Sequence, residues 1–410
     1  MPAARESQLR PKSHKKTFII VATVIVVVAV AGGLAGYFVT KNNNNSNSSS
    51  SASSSSPSAT TTSSTSSNKT ATPTAGKHFF GYWGQSNDVG PLGLGTRPID
   101  NDQQQYSLAS YCDLEYYQTM NLAFLYAFGG GDGHWALDLS SLGRYHVYPN
   151  GTSSTELNGD PIDASVFTQV GNNITYCQSK GIKVILSIGG DMHSPYSFIQ
   201  GDGALYGKIF YDAFLGGNGA HRPFGSAVLD GLELDIEKTD TYYTQEMISL
   251  IETVKALNSK VIFSAVPQCF LNGINEDLNT GPVIKSNPEF FDYIVIQYYN
   301  NPSCSYPFGF NFGIWTNVTS VPLVIGLAGD PTSAITGGFL NAGQLQAVVD
   351  MVWNNTQFLG MSVYDVSSSN PWFSNYSSIM RNALNGEIVG SGYPPQGAFT
   401  TEQQYAARCA

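Results

Sequence analysis

Between Lys77 and about Leu384 the chain alternates short apolar runs with polar, glycine-marked stretches. Eight runs stand out: His78–Trp83, Met120–Tyr126, Ile182–Ile188, Leu229–Ile236, Lys260–Val266, Tyr293–Tyr298, Val321–Leu327 and Leu359–Tyr364. Several are β-branched and apolar at consecutive positions, as strands buried on both faces are. The segments between them have room for helices, and Tyr242–Ala256 and Ala342–Trp353 carry helical spacing of apolar residues. Eight strand–helix units in about 300 residues predict a single α/β domain over residues 76–386, a (β/α)₈ TIM barrel whose sites lie at the C-terminal ends of the strands. The run Gly129–Gly133 lacks the Lys-Ser/Thr of a phosphate loop and reads as a plain loop.

One of these runs breaks the apolar pattern in a regular way. In Leu229-Asp230-Gly231-Leu232-Glu233-Leu234-Asp235-Ile236-Glu237 a strand sends alternate side chains to opposite faces. Glu233, Asp235 and Glu237 then share one face, and Leu232, Leu234 and Ile236 share the other. An exposed edge strand with one acidic face is the plain alternative. Gly231 and the all-aliphatic partner face argue instead for a buried parallel strand. Like charges aligned in a low-dielectric interior push their pKa values apart and keep at least one group protonated. A protonated acid beside an ionised carboxylate is the equipment of glycosidic bond cleavage.

The ends of the chain have a different texture. Residues 1–16 are polar and basic, and Thr17 to Thr40 contains no charge and is rich in Val, Ile and Ala. As a helix that stretch is long enough to span a hydrocarbon core of about 30 Å. With the basic flank on its N-terminal side, it predicts a signal anchor with a cytosolic tail and the bulk of the chain outside the membrane. A signal peptide cleaved after Ala29-Val30-Ala31, releasing a secreted protein to the cell wall, is the alternative. Residues 41–75 are nearly all Ser, Thr, Asn, Ala and Pro, a composition that cannot bury a core and that suits an O-glycosylated stalk. The tail at 387–410 carries no assignable pattern.

Composition narrows the function classes. Charged residues make up 12% of the chain, so its polarity rests on Ser, Thr, Asn, Gly and Tyr, as suits an extracellular carbohydrate-handling protein. Beyond Lys41 the chain has fourteen basic against twenty-nine acidic residues, which disfavours nucleic acid as a partner. The five cysteines include no C-x-x-C pair and the histidines show no zinc spacing, so neither a metal nor another cofactor is expected. Sequons at Asn44, Asn47, Asn68, Asn150, Asn173, Asn317, Asn354 and Asn375 agree with a secretory route and a glycoprotein.

The run Asp230-Gly231-x-Glu233-x-Asp235-x-Glu237 resembles the D-G-x-D-x-D-x-E signature of glycoside hydrolase family 18, the chitinases, with Glu233 where the family usually has Asp. Other strand ends extend the resemblance to the class III (plant and fungal) members: Tyr82-Trp83-Gly84-Gln85, Leu186-Ser187-Ile188-Gly189-Gly190, Ala265-Val266-Pro267-Gln268-Cys269 and Gln297-Tyr298-Tyr299-Asn300-Asn301-Pro302. It implies a retaining, substrate-assisted mechanism, an exception to the two-carboxylate scheme. Glu237 is then the general acid and base, Asp235 the carboxylate that orients the substrate acetamide, and Tyr299 its hydrogen-bond partner. Gln297, Tyr364, Tyr82, Trp83, Asp230 and Glu233 follow as candidates for substrate contact and support. Tyr364 stands where the family usually places a Trp, so weaker sugar binding is expected. The resemblance also implies disulfides Cys112–Cys177 and Cys269–Cys304, which leaves Cys409 over. The expected activity is endo-acting hydrolysis of chitin by a monomeric catalytic domain held at a membrane by the N-terminal helix. An endo-β-N-acetylglucosaminidase acting on N-glycans has the same catalytic residues. A lectin or inhibitor on the same barrel would typically have lost the acid.

Overall fold

A computed structural model describes residues 76–85, 105–271, 277–334, 336–369 and 375–389. Its twelve strands in chain order are β1 (His78–Trp83), β2 (Thr119–Phe128), β3 (Trp135–Asp138), β4 (Arg144–Val147), β5 (Ser153–Leu157), β6 (Asp160–Pro161), β7 (Lys183–Gly190), β8 (Gly231–Ile236), β9 (Ile262–Ala265), β10 (Tyr293–Gln297), β11 (Leu323–Ala328) and β12 (Phe358–Tyr364). Eight of them pair in parallel in the order β1-β2-β7-β8-β9-β10-β11-β12, and β12 returns to β1, so the sheet closes. All eight predicted apolar runs are barrel strands, with ends shifted by up to two residues. Helices α1 (Leu108–Asp113), α2 (Ser165–Ser179), α3 (Asp202–Phe214), α4 (Tyr243–Leu257), α5 (Gly281–Ser286), α6 (Phe312–Val318), α7 (Ala342–Val352) and α8 (Tyr376–Leu384) lie in the connections. This is the (β/α)₈ barrel that the spacing predicts.

Strand alternation decides what fills the barrel. Along β10, Ile294 and Ile296 join the large core between barrel and helices, while Tyr293 and Val295 turn into the lumen with Phe80, Val266 and Val324. Along β1, Phe79 and Trp83 go outward, and Phe80 and Tyr82 go inward. An apolar layer thus plugs the lower lumen, which leaves the upper layers free for polar groups. Gly231 is required where β8 meets β9, since a Cβ there would stand 2.2 Å from the Ile262 carbonyl oxygen.

The sequence pattern did not reveal a four-strand antiparallel extension. β3 pairs with the end of β2, and β4, β5 and β6 follow in order. Arg144–Val147 and Ser153–Leu157 have few apolar residues to mark them as strands. The extension is anchored by Trp135, which stacks on Tyr145 at 5.7 Å and meets Phe214 of α3 edge-on at 5.2 Å.

Both expected disulfides are present, Cys112–Cys177 tying α1 to α2 and Cys269–Cys304 joining the connections after β9 and β10. Closing a loop across 65 residues removes enough denatured-state freedom to stabilise the domain by about 4 kcal/mol. Replacing Cys112 and Cys177 together by Ser should lower the unfolding free energy by about that amount, read as an earlier denaturant midpoint.

The anchor expected at 17–40, the basic tail before it, the stalk at 41–75 and Cys409 lie outside the described residues. Among the described residues, no helix is long and apolar enough to cross a membrane.

Candidate active site

β8 carries the acidic face up through the barrel. Its backbone pairs Glu233 with Ser187 of β7 on one side and Ser264 of β9 on the other. Glu233 is fully buried, and its carboxylate accepts both Nδ2 contacts of Asn121 at 3.1 Å and the Ser264 hydroxyl at 3.0 Å. Burial pushes its pKa up to about 7, against the pull of the Tyr82, Ser264, Ser187 and Asn121 side chains, which favour the ionised form. Glu233 is therefore sealed beneath the site instead of lining it. Its reach is electrostatic, because its charge raises the pKa of Asp235 above it.

Asp235 lies one layer higher, next to Gly189 of the neighbouring strand. Gly189 has φ +108°, and a Cβ there would sit 2.2 Å from the Asp235 carbonyl oxygen, so the Ser-Ile-Gly-Gly end of β7 needs glycine for close approach. Glu237 follows the end of β8 at the mouth and is partly exposed. Gln297, at the end of β10, donates its amide to Asp235 Oδ1 and to Glu237 Oε1, both at 3.1 Å. One amide thus bridges the two carboxylates that the strand period places together.

Burial raises the pKa of Asp235 first, and the Glu237 and Glu233 carboxylates raise it further. Glu237 is raised mainly by burial, with Asp191 and Asp277 adding to it, while hydrogen bonds from Gln297 and Gln268 pull it back. Such a stack holds a proton at neutral pH more readily than isolated carboxyl groups do, and the coupled carboxyl groups titrate as a set.

Aromatic rings wall the mouth. Tyr364, ending β12, lies parallel to Tyr299 at 6.1 Å with 7° between their planes, and meets Tyr82 edge-on at 5.9 Å. Burial and the nearby Asp235 carboxylate push Tyr299 well above the ordinary phenol range, so it remains a hydrogen-bond donor. The peptide bonds Ala123–Phe124 and Tyr364–Asp365 are cis. The result is a barrel mouth lined by a carboxyl pair and flanked by tyrosine rings.

No family model matches the chain. Individual relatives do. An acidic endochitinase from Phaseolus angularis is 31% identical over 318 residues, covering 76% of this chain and 88% of its own. The chain belongs to the acidic endochitinase family. That places it within glycoside hydrolase family 18, as the strand motifs imply, and among the glycoside hydrolases as an enzyme class. Among solved structures, a chitinase from Ipomoea carnea superposes with a TM-score of 0.56 at 27% identity, covering 74% of this chain and 98% of its own. A xylanase and α-amylase inhibitor protein superposes at 0.55 with 27% identity, covering 76% and 98%.

Within this endochitinase-family barrel the expected residues divide. Glu237, Asp235, Gln297, Tyr299 and Tyr364 converge on the mouth, and Tyr82 is buried beneath them, between Tyr364 and Glu233. Trp83 does not, because it is the odd neighbour of Tyr82 on β1, faces the outer core and donates its indole N–H to the Tyr106 carbonyl at 2.9 Å. Asp230 does not either. It precedes β8 at the opposite end of the barrel, where Gln178 and Lys183 donate to it at 2.8 Å and the Val184 amide at 3.0 Å. Trp83 is therefore corrected from substrate contact to the outer core, and Asp230 keeps only the supporting half of its expected role. Sequence reasoning missed Asn121 and Ser264, which bond Glu233 from β2 and β9, and Gln268 and Asp191, which act on Glu237 from just beyond β9 and β7, Asp191 by its charge alone. Of these only Gln268 stands in a quoted motif, directly before Cys269.

Proposed function

We propose that this enzyme is an endo-acting chitinase that hydrolyses β-1,4 bonds between N-acetylglucosamine units with retention of configuration. The observation that carries the reading is the Gln297 amide held between Asp235 and Glu237 at 3.1 Å from each. It holds the two carboxyl groups side by side, while burial of Glu237 favours the protonated form that an acid at the mouth needs. Glu237 protonates the glycosidic oxygen as the bond breaks. The substrate's 2-acetamido oxygen attacks the anomeric carbon in place of a protein nucleophile. Asp235 holds the acetamide N–H and balances the positive charge that develops on the ring formed, and Tyr299 donates to the acetamide oxygen. Glu237, now ionised, takes a proton from the water that opens the intermediate.

The similarity to an inhibitor protein supports a second reading, a barrel that binds without cleaving. Glu237, Asp235, Tyr299 and Gln297 all being present and converging favours catalysis. The two disulfides and the exposed sequon residues Asn150, Asn317 and Asn354 support an extracellular catalytic domain. The apolar stretch at 17–40 supports tethering to a membrane.

Incubating the full chain with chitin pentamer and following fresh products by NMR tests the reading. Cleavage at internal bonds with the β-anomer formed first is expected. The α-anomer first, or binding with no cleavage, would overturn it.

A further inference from the structure

The backbone segment that carries Glu237 is gripped by a single neighbouring loop. Glu237 follows β8 with no strand partner of its own, so something else must fix its main chain. The Glu237 amide N–H donates to the Tyr196 hydroxyl at 2.8 Å, and that hydroxyl donates in turn to the Gly190 carbonyl at 3.2 Å. The next residue is held by the same loop. Lys238 Nζ donates to the Ser194 carbonyl and, at 2.9 Å, to the Tyr196 carbonyl, and it sits 4.1 Å from the centre of the Tyr196 ring.

Tyr196 is itself buried and packed. It is 2% exposed, its ring stacks on Phe128 at 5.6 Å, and the Ser197 amide bonds the Phe128 carbonyl at 2.9 Å. Its hydroxyl therefore joins two pieces of the site: the end of the Ser-Ile-Gly-Gly strand and the backbone of the acid. The Tyr196 hydroxyl is buried, and both of its hydrogen bonds go to main chain, so it serves the backbone and not a sugar.

We propose that Tyr196, with Lys238, is a positioning residue that aims the Glu237 carboxyl at the leaving-group oxygen. The inference rests on the role assigned to Glu237 under the proposed function. Misaiming a proton donor costs rate only where the departing group needs the proton, and displacements of about 1 Å can cost up to about 100-fold. Tyr196→Phe removes the hydroxyl and keeps the ring that packs on Phe128.

The test compares two substrates in the full-length enzyme: chitin pentamer, whose departing sugar alcohol must be protonated, and 2,4-dinitrophenyl chitobioside, whose phenolate leaves unaided. Tyr196→Phe should lower kcat for the pentamer about tenfold with KM changed less than about twofold, and change kcat/KM for the aryl substrate less than about twofold. Lys238→Met should show the same split more weakly, and it serves if Tyr196→Phe fails to fold. Equal losses on both substrates would mean a merely structural role and overturn the proposal, as would an undiminished pentamer rate. Failure of the underlying reading looks different: Glu237→Gln would then hydrolyse the pentamer at the parent rate.

Discussion

Glu237→Gln should keep the fold and lose the reaction, with kcat on chitin pentamer falling about 10³-fold, or about 4 kcal/mol of transition-state stabilisation. The substitution is nearly isosteric, and a glutamine carbonyl can still accept from Gln297, whose amide bonds Glu237 at 3.1 Å in the parent. What disappears is the proton that must reach the glycosidic oxygen. Stability should hold or rise, because the Glu237 charge is one of the causes that lift Asp235 above its ordinary range. Steady-state kinetics with a thermal melt of the same sample checks both halves. A variant that melts like the parent yet turns over within about tenfold of it would remove Glu237 from its role.

The second large effect is on stability as a function of pH. Glu233 is fully buried with its pKa moved from 4.5 to about 7, and burial moves Asp365, at the end of β12, from 3.8 to about 6. Each group binds its proton more tightly folded than unfolded. Across the window between the two values the native state therefore carries more protons, and the unfolding free energy falls as pH rises. Below about pH 4 neither group penalises folding, and above about pH 7 both penalties are complete, at about 3 kcal/mol for each group. Asp235, Glu237 and Asp277 are shifted in the same direction. Exposed carboxylates such as Asp163 are lowered, but groups open to solvent contribute little. Chemical denaturation from pH 4.5 to 8 should thus show a midpoint that declines through pH 5–7. A flat or rising profile would show that the column stays ionised throughout.

Much of the site could be read in advance because it rests on period two. Alternation along β8 puts Glu233, Asp235 and Glu237 on one face, and eight apolar runs locate the strand ends where sites collect. The same rule, applied to neighbouring residues, also exposes the errors. Tyr82 and Trp83 are adjacent on β1 and cannot both face the lumen. Asp230 is out of phase with Glu233 and stands before the strand begins. What period two cannot show is which residue on another strand lies level with a given carboxylate. Asn121 and Ser264 meet Glu233 through barrel closure and stagger, which are set by pairing across the whole sheet. The Tyr196 clamp escaped notice because a lone tyrosine in a loop has no periodic neighbour. The extension from β3 to β6 was missed because its strands are held by tryptophan and tyrosine packing at one end and have no regular apolar stripe.

That extension has a consequence for life in a crowd. A closed barrel has no edges, but the added ribbon creates one at β6, where unpaired main-chain groups would invite another chain to add a strand. This last strand is two residues long, Asp160 and Pro161, both exposed, and it pairs with Glu156 and Leu157 of β5. Proline has no N–H to offer and aspartate adds a charge that a second copy would repel. At β6, molecules packed side by side at high concentration therefore find a poor template for sheet-to-sheet growth.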